Sequence, residues 1–476
     1  MRKSLVVGAI FLLATIGISA QNVDIEALSG LQFSFNNPGA RAMGMGGAFL
    51  GLADDASAAE ANPAGLTILR TPEVSIEGRN FEVIQNFNVT GEFPNIEREG
   101  FSSYSDPAEL AFASFVYPMG RGVIAAYYHQ PLKFEAEVNA LTEEFLGIPQ
   151  IRDLPVFFQP RGNPPGSAGP VGREECISII EDTGDPFSCL ALQLFPFVTS
   201  VQTKMKTAGL SFAYEFGNLS LGGSARYQSF ETFASTFRVD ADRLEVIQQV
   251  AQVTLDGDDF GEQDDWTFVG GFKWALSNNF SVGGSYKQGA EFPTSVFNDV
   301  GAGFELISDD VSFHVPDVYG IGFSWRPMPV LTLNADVVEV KYSNLTDDFQ
   351  SIFSEARVLG QNAYETPDAT EIHAGFEYFF TTSVPFAIRG GWWRDPAHGL
   401  EYTGPVTCHE EEAFAPSDRF ACAFNRTTLS LLFPGGEDQD HWTIGVGLAW
   451  PNFQIDAAYD TSDTFKVGSI SGVYRF

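Results

Sequence analysis

The chain has 476 residues, 44% of them hydrophobic, and a formal net charge of −34. So large an acidic excess argues against nucleic-acid binding, and no run of about 18 apolar residues supplies a transmembrane helix. Phenylalanine and glycine are both frequent, at 44 and 47 residues, and apolar residues alternate along the chain, which points to an all-β protein.

The N-terminus reads as an export signal. Arg2 and Lys3 form a basic region, Leu5 to Ile18 an apolar stretch too short to span a bilayer, and Ile18-Ser19-Ala20 an acceptable cleavage site. Residues 1–20 are therefore expected to be removed. No Cys follows the apolar stretch, so a lipoprotein anchor is not expected.

Residues 21–70 form a second unit, which does not alternate. From Asn37 to Leu66 it reads NNPGARAMGMGGAFLGLADDASAAEANPAGL. Gly44, Gly46 and Gly47 permit close backbone approach and unusual φ. Asp54 and Asp55 are expected to open a short helix that Asn62-Pro63 ends. A compact Gly/Ala-rich segment ahead of the first strand suits the inside of a barrel.

Residues 71–476 carry the strands. The clearest runs from Trp442 to Trp450, with Trp442, Ile444, Val446, Leu448 and Trp450 on one face and Thr443, Gly445, Gly447 and Ala449 on the other. Eight tilted steps rise about 20 Å, close to the apolar band of a membrane barrel, and a Trp at each end fits the aromatic girdles. Trp266–Trp274, Tyr319–Trp325 and Ile372–Tyr378 repeat the pattern. A soluble sandwich would also alternate, but aromatic strand ends facing Gly and polar residues favour lipid outside and a lumen inside. Fourteen such segments begin near Pro72, Pro107, Gly122, Val201, Asn218, Gln263, Asn279, Phe313, Val330, Thr370, Val384, Asp440, Asn452 and Thr464. Short turns, such as Gly217-Asn218 and Trp450 to Asn452, alternate with long connections, above all about 138–200 and 395–439. That parity predicts a 14-stranded antiparallel transmembrane β-barrel with both ends in the periplasm.

The long connections hold other signals. The acidic run Asp256 to Asp265 lacks EF-hand order, because Phe260 stands where a ligand is needed; a solvated outer loop is expected. Four cysteines fall in two close pairs, Cys176/Cys189 and Cys408/Cys422. Local pairing is the simplest of the three possibilities, and each bridge would stabilise its loop by about 3 kcal/mol. A zinc site has only His409 beside Cys408 in its favour, so no metal or cofactor is expected. The chain then ends TFKVGSISGVYRF, with Ile470, Tyr474 and Phe476 on one face and Ser469, Ser471 and Arg475 on the other. A final strand closing on Phe476 is how outer-membrane barrels end, as a signal to the barrel-assembly machinery.

Several of these stretches together resemble the FadL/TodX family of outer-membrane transporters for long-chain fatty acids and other hydrophobic compounds. The likeness lies in GARAMGMGGAFLGLADDASAAEANPAGL, in Val315 to Ser343, in Thr370 to Pro396 and in the closing VYRF. It implies a fourteen-stranded barrel with an N-terminal plug, or hatch, and passive uptake across the outer membrane of a diderm bacterium; a plugged barrel with its own lumen can act alone, so a monomer is expected. A hydrophobic ligand would enter from outside and leave sideways into the lipid at a kinked third strand. Carried onto this chain, the hatch role falls on Asp54, Asp55, Asn62, Pro63 and Ala64, and the lateral gate on Pro131. Pro131 lies within HQPLKF and cannot donate to a ladder.

Period-2 counting turns His129, Lys133, Arg226, Lys273, Lys287 and Arg389 into the lumen, with Glu135, Asp336, Glu377 and Asp456. Lys133, Arg226, Lys287 and Arg389 are candidates for an anionic head group, with Asp54 and Asp55 as competing partners for a lumen Arg. Phe157, Phe158 and Phe195, in apolar stretches of the longest connection, are candidates for the tail. Three rivals stand beside this reading, one of them a passive adhesin or structural barrel. PorV-type barrels share the ARAMGMGGAF…NPAGL pattern and serve protein secretion. An outer-membrane hydrolase would need a nucleophile motif, but GxSxG is missing and the six histidines are scattered. No enzymatic activity is expected.

Overall fold

The computed structural model describes residues 35, 37–88, 99–105, 109–139, 156–160, 189–193, 197–240, 245–254, 263–299, 305–346, 364–399, 401–402, 436–463 and 465–476. Eighteen strand segments form one antiparallel sheet. Four pairs of segments run on as single strands, which leaves fourteen. The strands are β1 (Glu73–Asn88), β2 (Glu99–Ser105 and Glu109–Met119), β3 (Gly122–Asn139) and β4 (Phe197–Phe216). Next come β5 (Leu219–Asp240), β6 (Glu245–Thr254 and Gln263–Ser277), β7 (Phe280–Lys287 and Glu291–Asp299) and β8 (Glu305–His314 and Val318–Met328). The last six are β9 (Leu331–Val340), β10 (Ala369–Phe380), β11 (Phe386–Asp395), β12 (Gln439–Ala449), β13 (Phe453–Thr461) and β14 (Phe465–Arg475). Neighbours in sequence are neighbours in space, and β1 pairs with β14 from Glu73↔Arg475 to Val83↔Phe465. That last pairing closes the sheet and rules out a sandwich.

The two faces of the wall follow the expected alternation. Trp442 and Ile444 are each 64% exposed and Phe476 63%. In water such a continuous apolar belt would be a liability; around a closed barrel it is the surface that lipid covers. The opposite face is polar and buried: Ser469, Ser471, Asp456, Arg389, Glu377 and Arg226 point inward. No helix among the described residues is long and apolar enough to cross a membrane.

Four strands begin before the expected positions. β2 begins at Glu99, β4 at Phe197 and β6 at Glu245, and a small ribbon pairs Val156–Pro160 with Cys189–Gln193 inside the connection read as loop. Strand β8 likewise starts at Glu305. Outside the lipid a strand needs no apolar outer face, so the period-2 signal that located the spanning portions fades there.

Residues 37–69 lie against the inner face. This inner segment holds α1 (Ala40–Met43), α2 (Ala58–Ala61) and a 3-10 turn, Pro63–Ile68. Helix α2 starts later than expected, because Asp55 instead turns back to accept from the Ser57 amide and hydroxyl at 2.9 and 2.5 Å. Asn62 ends α2 as read, and its Oδ1 accepts from the Ala64 amide at 3.3 Å to open the 3-10 turn.

Candidate functional site

Two kinds of contact hold the inner segment. On one side Phe49, Leu52, Leu66 and the buried alanines of α2 pack on Phe112, Val116, Val123 and Tyr127 of β2 and β3. On the other the segment's backbone meets the wall directly. A Cβ added at Gly375 would collide with Met45, and one at Gly391 with Met45 and Gly46. Gly46 itself has φ +67°, which L side chains rarely adopt. With those side chains absent, wall groups reach the segment's amides and carbonyls. Asp336 accepts from Phe49 and Leu50 at 2.6 and 2.8 Å, Glu73 from Ala56 at 2.9 Å, and Glu77 from Gly39 at 2.7 Å. Asn62 donates to Leu50 and Phe272 at 3.1 and 3.0 Å.

Arg41 is the charge hub of this side. It grips Glu377 of β10 in a bidentate pair, both bonds 2.9 Å, and bonds Asp54 within its own segment. Burial alone would raise the Asp54 carboxyl, but Arg41 beside it holds it below the usual range. Arg326 of β8 reaches Asp54 at 2.9 Å, and Lys273 of β6 donates to the Leu52 and Ala53 carbonyls. Arg389 bonds Glu377 at 2.7 Å and faces Asp456 at 2.8 Å. Asp54 does meet an Arg of the wall, Arg326, and the structure adds a partner that was not expected: Arg41, four residues before Met45 in the segment itself, bonds Asp54 and stands 3.5 Å from Asp55. The signal was available as a lone Arg in a stretch of small residues.

A second cluster lies under Pro131. Glu60 of α2 is 3% exposed. Its carboxylate accepts from the Tyr127 hydroxyl at 2.6 Å and stands 3.3 Å from Arg226, 3.6 Å from Lys287 and 4.0 Å from His129. Burial pushes this carboxyl up, but Lys287, Arg226 and His129 together hold it down to about 2. Around the cluster opens a narrow cleft, partly open to solvent. Its polar lining includes Glu60, His129, Arg226 and Lys287; its apolar lining includes Phe35, Pro131, Met205 and Val318.

The wall changes here. The β2–β3 ladder runs from Met119↔Gly122 to Phe112↔His129, and among the described residues no pairing between these strands follows it. Past that point β3 pairs with β4, with a register shift between His129 and Leu132 that brackets Pro131. Gln130 donates its side-chain amide to Glu109 at 3.4 Å where the ladder has stopped.

Of the sequence candidates, Arg226, Lys287 and Pro131 therefore meet at one cleft. Arg389 lies on β11, away from the strands that line it, and is bonded to Glu377. Asn62, Pro63 and Ala64 sit on the opposite edge of α2 from Ser57, under β5 and β6; a Cβ at Gly222 would strike Pro63 and Ala64. Lys133, Phe157, Phe158 and Cys189 lie in described strand backbone. Phe195, Cys176, Cys408, Cys422 and residues 1–20 fall outside the described residues, as does the centre of the acidic run. Glu60 and Tyr127 were not anticipated; Glu60 is the sole acid in SAAEAN, a helix otherwise made of small residues.

No protein-family model matches the chain, and no curated protein matches it. Solved structures do. The toluene transporter TodX of Pseudomonas putida is 13% identical with a TM-score of 0.54, covering 93% of this chain and 99% of its own. A FadL homologue of Pseudomonas aeruginosa gives the same identity, score and coverage. The toluene transporter TbuX of Ralstonia pickettii is 15% identical, with a TM-score of 0.50, covering 93% of this chain and all of its own. At these identities the likeness establishes a shared fold, the FadL/TodX-type barrel.

Proposed function

We propose that this barrel carries hydrophobic small molecules across the outer membrane of a diderm bacterium, taking them from outside and releasing them sideways near Pro131. The observation that carries the reading is the interrupted β2–β3 ladder beside a half-apolar cleft. An apolar solute loses free energy by passing into lipid and gains it by entering the aqueous periplasm, so an opening in the wall suits it better than an axial pore. The inner segment serves as the hatch that blocks the axial route, with Asp54, Asp55, Asn62, Pro63 and Ala64 holding its shape. The fold shared with toluene transporters is consistent with this.

The cleft offers two kinds of lining, and they suit long-chain fatty acids. Arg226 and Lys287 match an anionic head group, and Met205, Val318 and Phe35 an alkyl chain. Lys133, Phe157, Phe158 and Phe195 are assigned to the outer approach, and Arg389 to the inner ion network. The chain works as a monomer in outer-membrane lipid.

The test is mass spectrometry of lipophiles that co-purify with the detergent-solubilised barrel, against an unrelated barrel prepared identically. Enrichment of fatty acid or hydrocarbon is the expected result. A preparation free of lipophile but carrying bound exported polypeptides would replace this reading with a role in protein secretion.

A further inference from the structure

The cation pair at the cleft is already occupied by a carboxylate of the chain itself. Glu60 comes from α2 on the inner segment; Arg226 and Lys287 come from β5 and β7 of the wall. Among the described residues these two cations thus share one contacting carboxylate. His129 and Tyr127 complete the immediate surroundings. The other charges felt there are Glu371, which acts on Lys287, and Arg79, which acts on His129. Arg79 is itself bonded to Glu77 at 2.6 Å. One hydrogen-bonding position is left over: His129 Nε2 is buried, has no partner among the described residues, and belongs to a ring that lines the cleft. A buried polar atom without a partner costs free energy unless something visits it.

We propose that Glu60 is a built-in stand-in for a ligand carboxylate, so that an anionic amphiphile binds by competing with it for Arg226 and Lys287, with His129 Nε2 as the additional contact. This rests on the transport reading above. It makes Glu60 a specificity-determining residue. An uncharged hydrophobe can fill the apolar lining but cannot displace a carboxylate from two cations. A ligand carboxylate can, and in doing so it detaches α2 from β5 and β7. Head-group charge and the hold on the inner segment are then coupled, and by linkage the coupling acts in both directions.

The test uses the purified full chain in an uncharged detergent, with laurate and dodecanol as probes of equal chain length. Binding of each is measured by calorimetry for the wild type, Glu60→Gln and Lys287→Met, after heat-modifiable mobility has established that each barrel is folded. Glu60→Gln is expected to raise the ratio of laurate to dodecanol affinity about tenfold, and Lys287→Met to lower it about tenfold. In the wild type, laurate but not dodecanol should speed hydrogen exchange at residues 58–61. If Glu60→Gln does not fold, Lys287→Met and the exchange measurement still decide. Ratios that stay at the wild-type value, or exchange that responds equally to both probes, overturn the role of Glu60 alone. A wild type that binds neither probe overturns the transport reading and this inference with it.

Discussion

The two sides of the barrel meet the inner segment in different ways. Along β9 to β12 the wall is a continuous ladder, and the segment lies on it backbone to backbone. Gly375 and Gly391 make room, and Arg41, Glu377 and Arg389 form a charge network. Along β2 to β5 the ladder stops at Phe112–His129, a bulge brackets Pro131, and the segment touches the wall's charges through one side chain, Glu60. Buried charges with several partners hold a position. Buried charges beside a cleft, with one contacting carboxylate for two cations, are poised to exchange partners. The same fold thus anchors the segment on one side and leaves it releasable on the other.

Breaking the anchored side should cost most. Arg389→Met leaves Glu377 and Asp456 buried with less compensation and is expected to destabilise the barrel by about 3–5 kcal/mol, read as a lower denaturant midpoint in micelles. Gly391→Ala pushes a methyl into Met45 and Gly46, an overpacking cost of about 1–3 kcal/mol. Faster hydrogen exchange at residues 42–47 should accompany it; unchanged exchange there would mean the segment does not depend on this seat.

The releasable side should respond to acid. The Glu60 carboxyl lies at about 2 in the folded protein against an ordinary 4.5. A lowered value means stability that is present above 4.5 and is lost as the pH falls toward 2. Exchange at residues 58–61, corrected for its intrinsic pH dependence, should therefore stay constant from pH 7 to 5 and rise below 4.5. Glu60→Gln should abolish that rise.

Pro131→Ala should have the smallest effect on stability, below about 1 kcal/mol, because Pro131 makes no ladder donation to lose. Its effect belongs to transport. With an amide restored, β3 can pair further along β2, and uptake of a hydrophobic probe into cells should slow while insertion is normal. Uptake at the wild-type rate would remove the gate role from this residue.

Much of this architecture was legible in the chain alone. Trp442 to Trp450 alternates strictly because one face meets lipid and the other a polar interior, and the same rule located all fourteen spanning portions. It also turned Arg226, Lys287, Arg389 and Glu377 inward, since period 2 leaves a strand residue only two directions. Closure of the sheet, by contrast, needed the β1–β14 pairing, which links residues about 400 positions apart, and no local pattern encodes it. The strand extensions at β2, β4, β6 and β8 were missed because they lie where no lipid demands an apolar face.

The inner segment divides along the same line. Its glycines, its Asn62-Pro63 stop and its fit within a barrel were readable, because they depend on local backbone freedom and on the lack of alternation. Which charges it meets was not. Arg41 finding Glu377, and Glu60 finding Arg226 and Lys287, depend on where strands far apart in sequence converge. A buried charge takes whichever opposite charge the fold brings within reach, and that choice belongs to the tertiary structure.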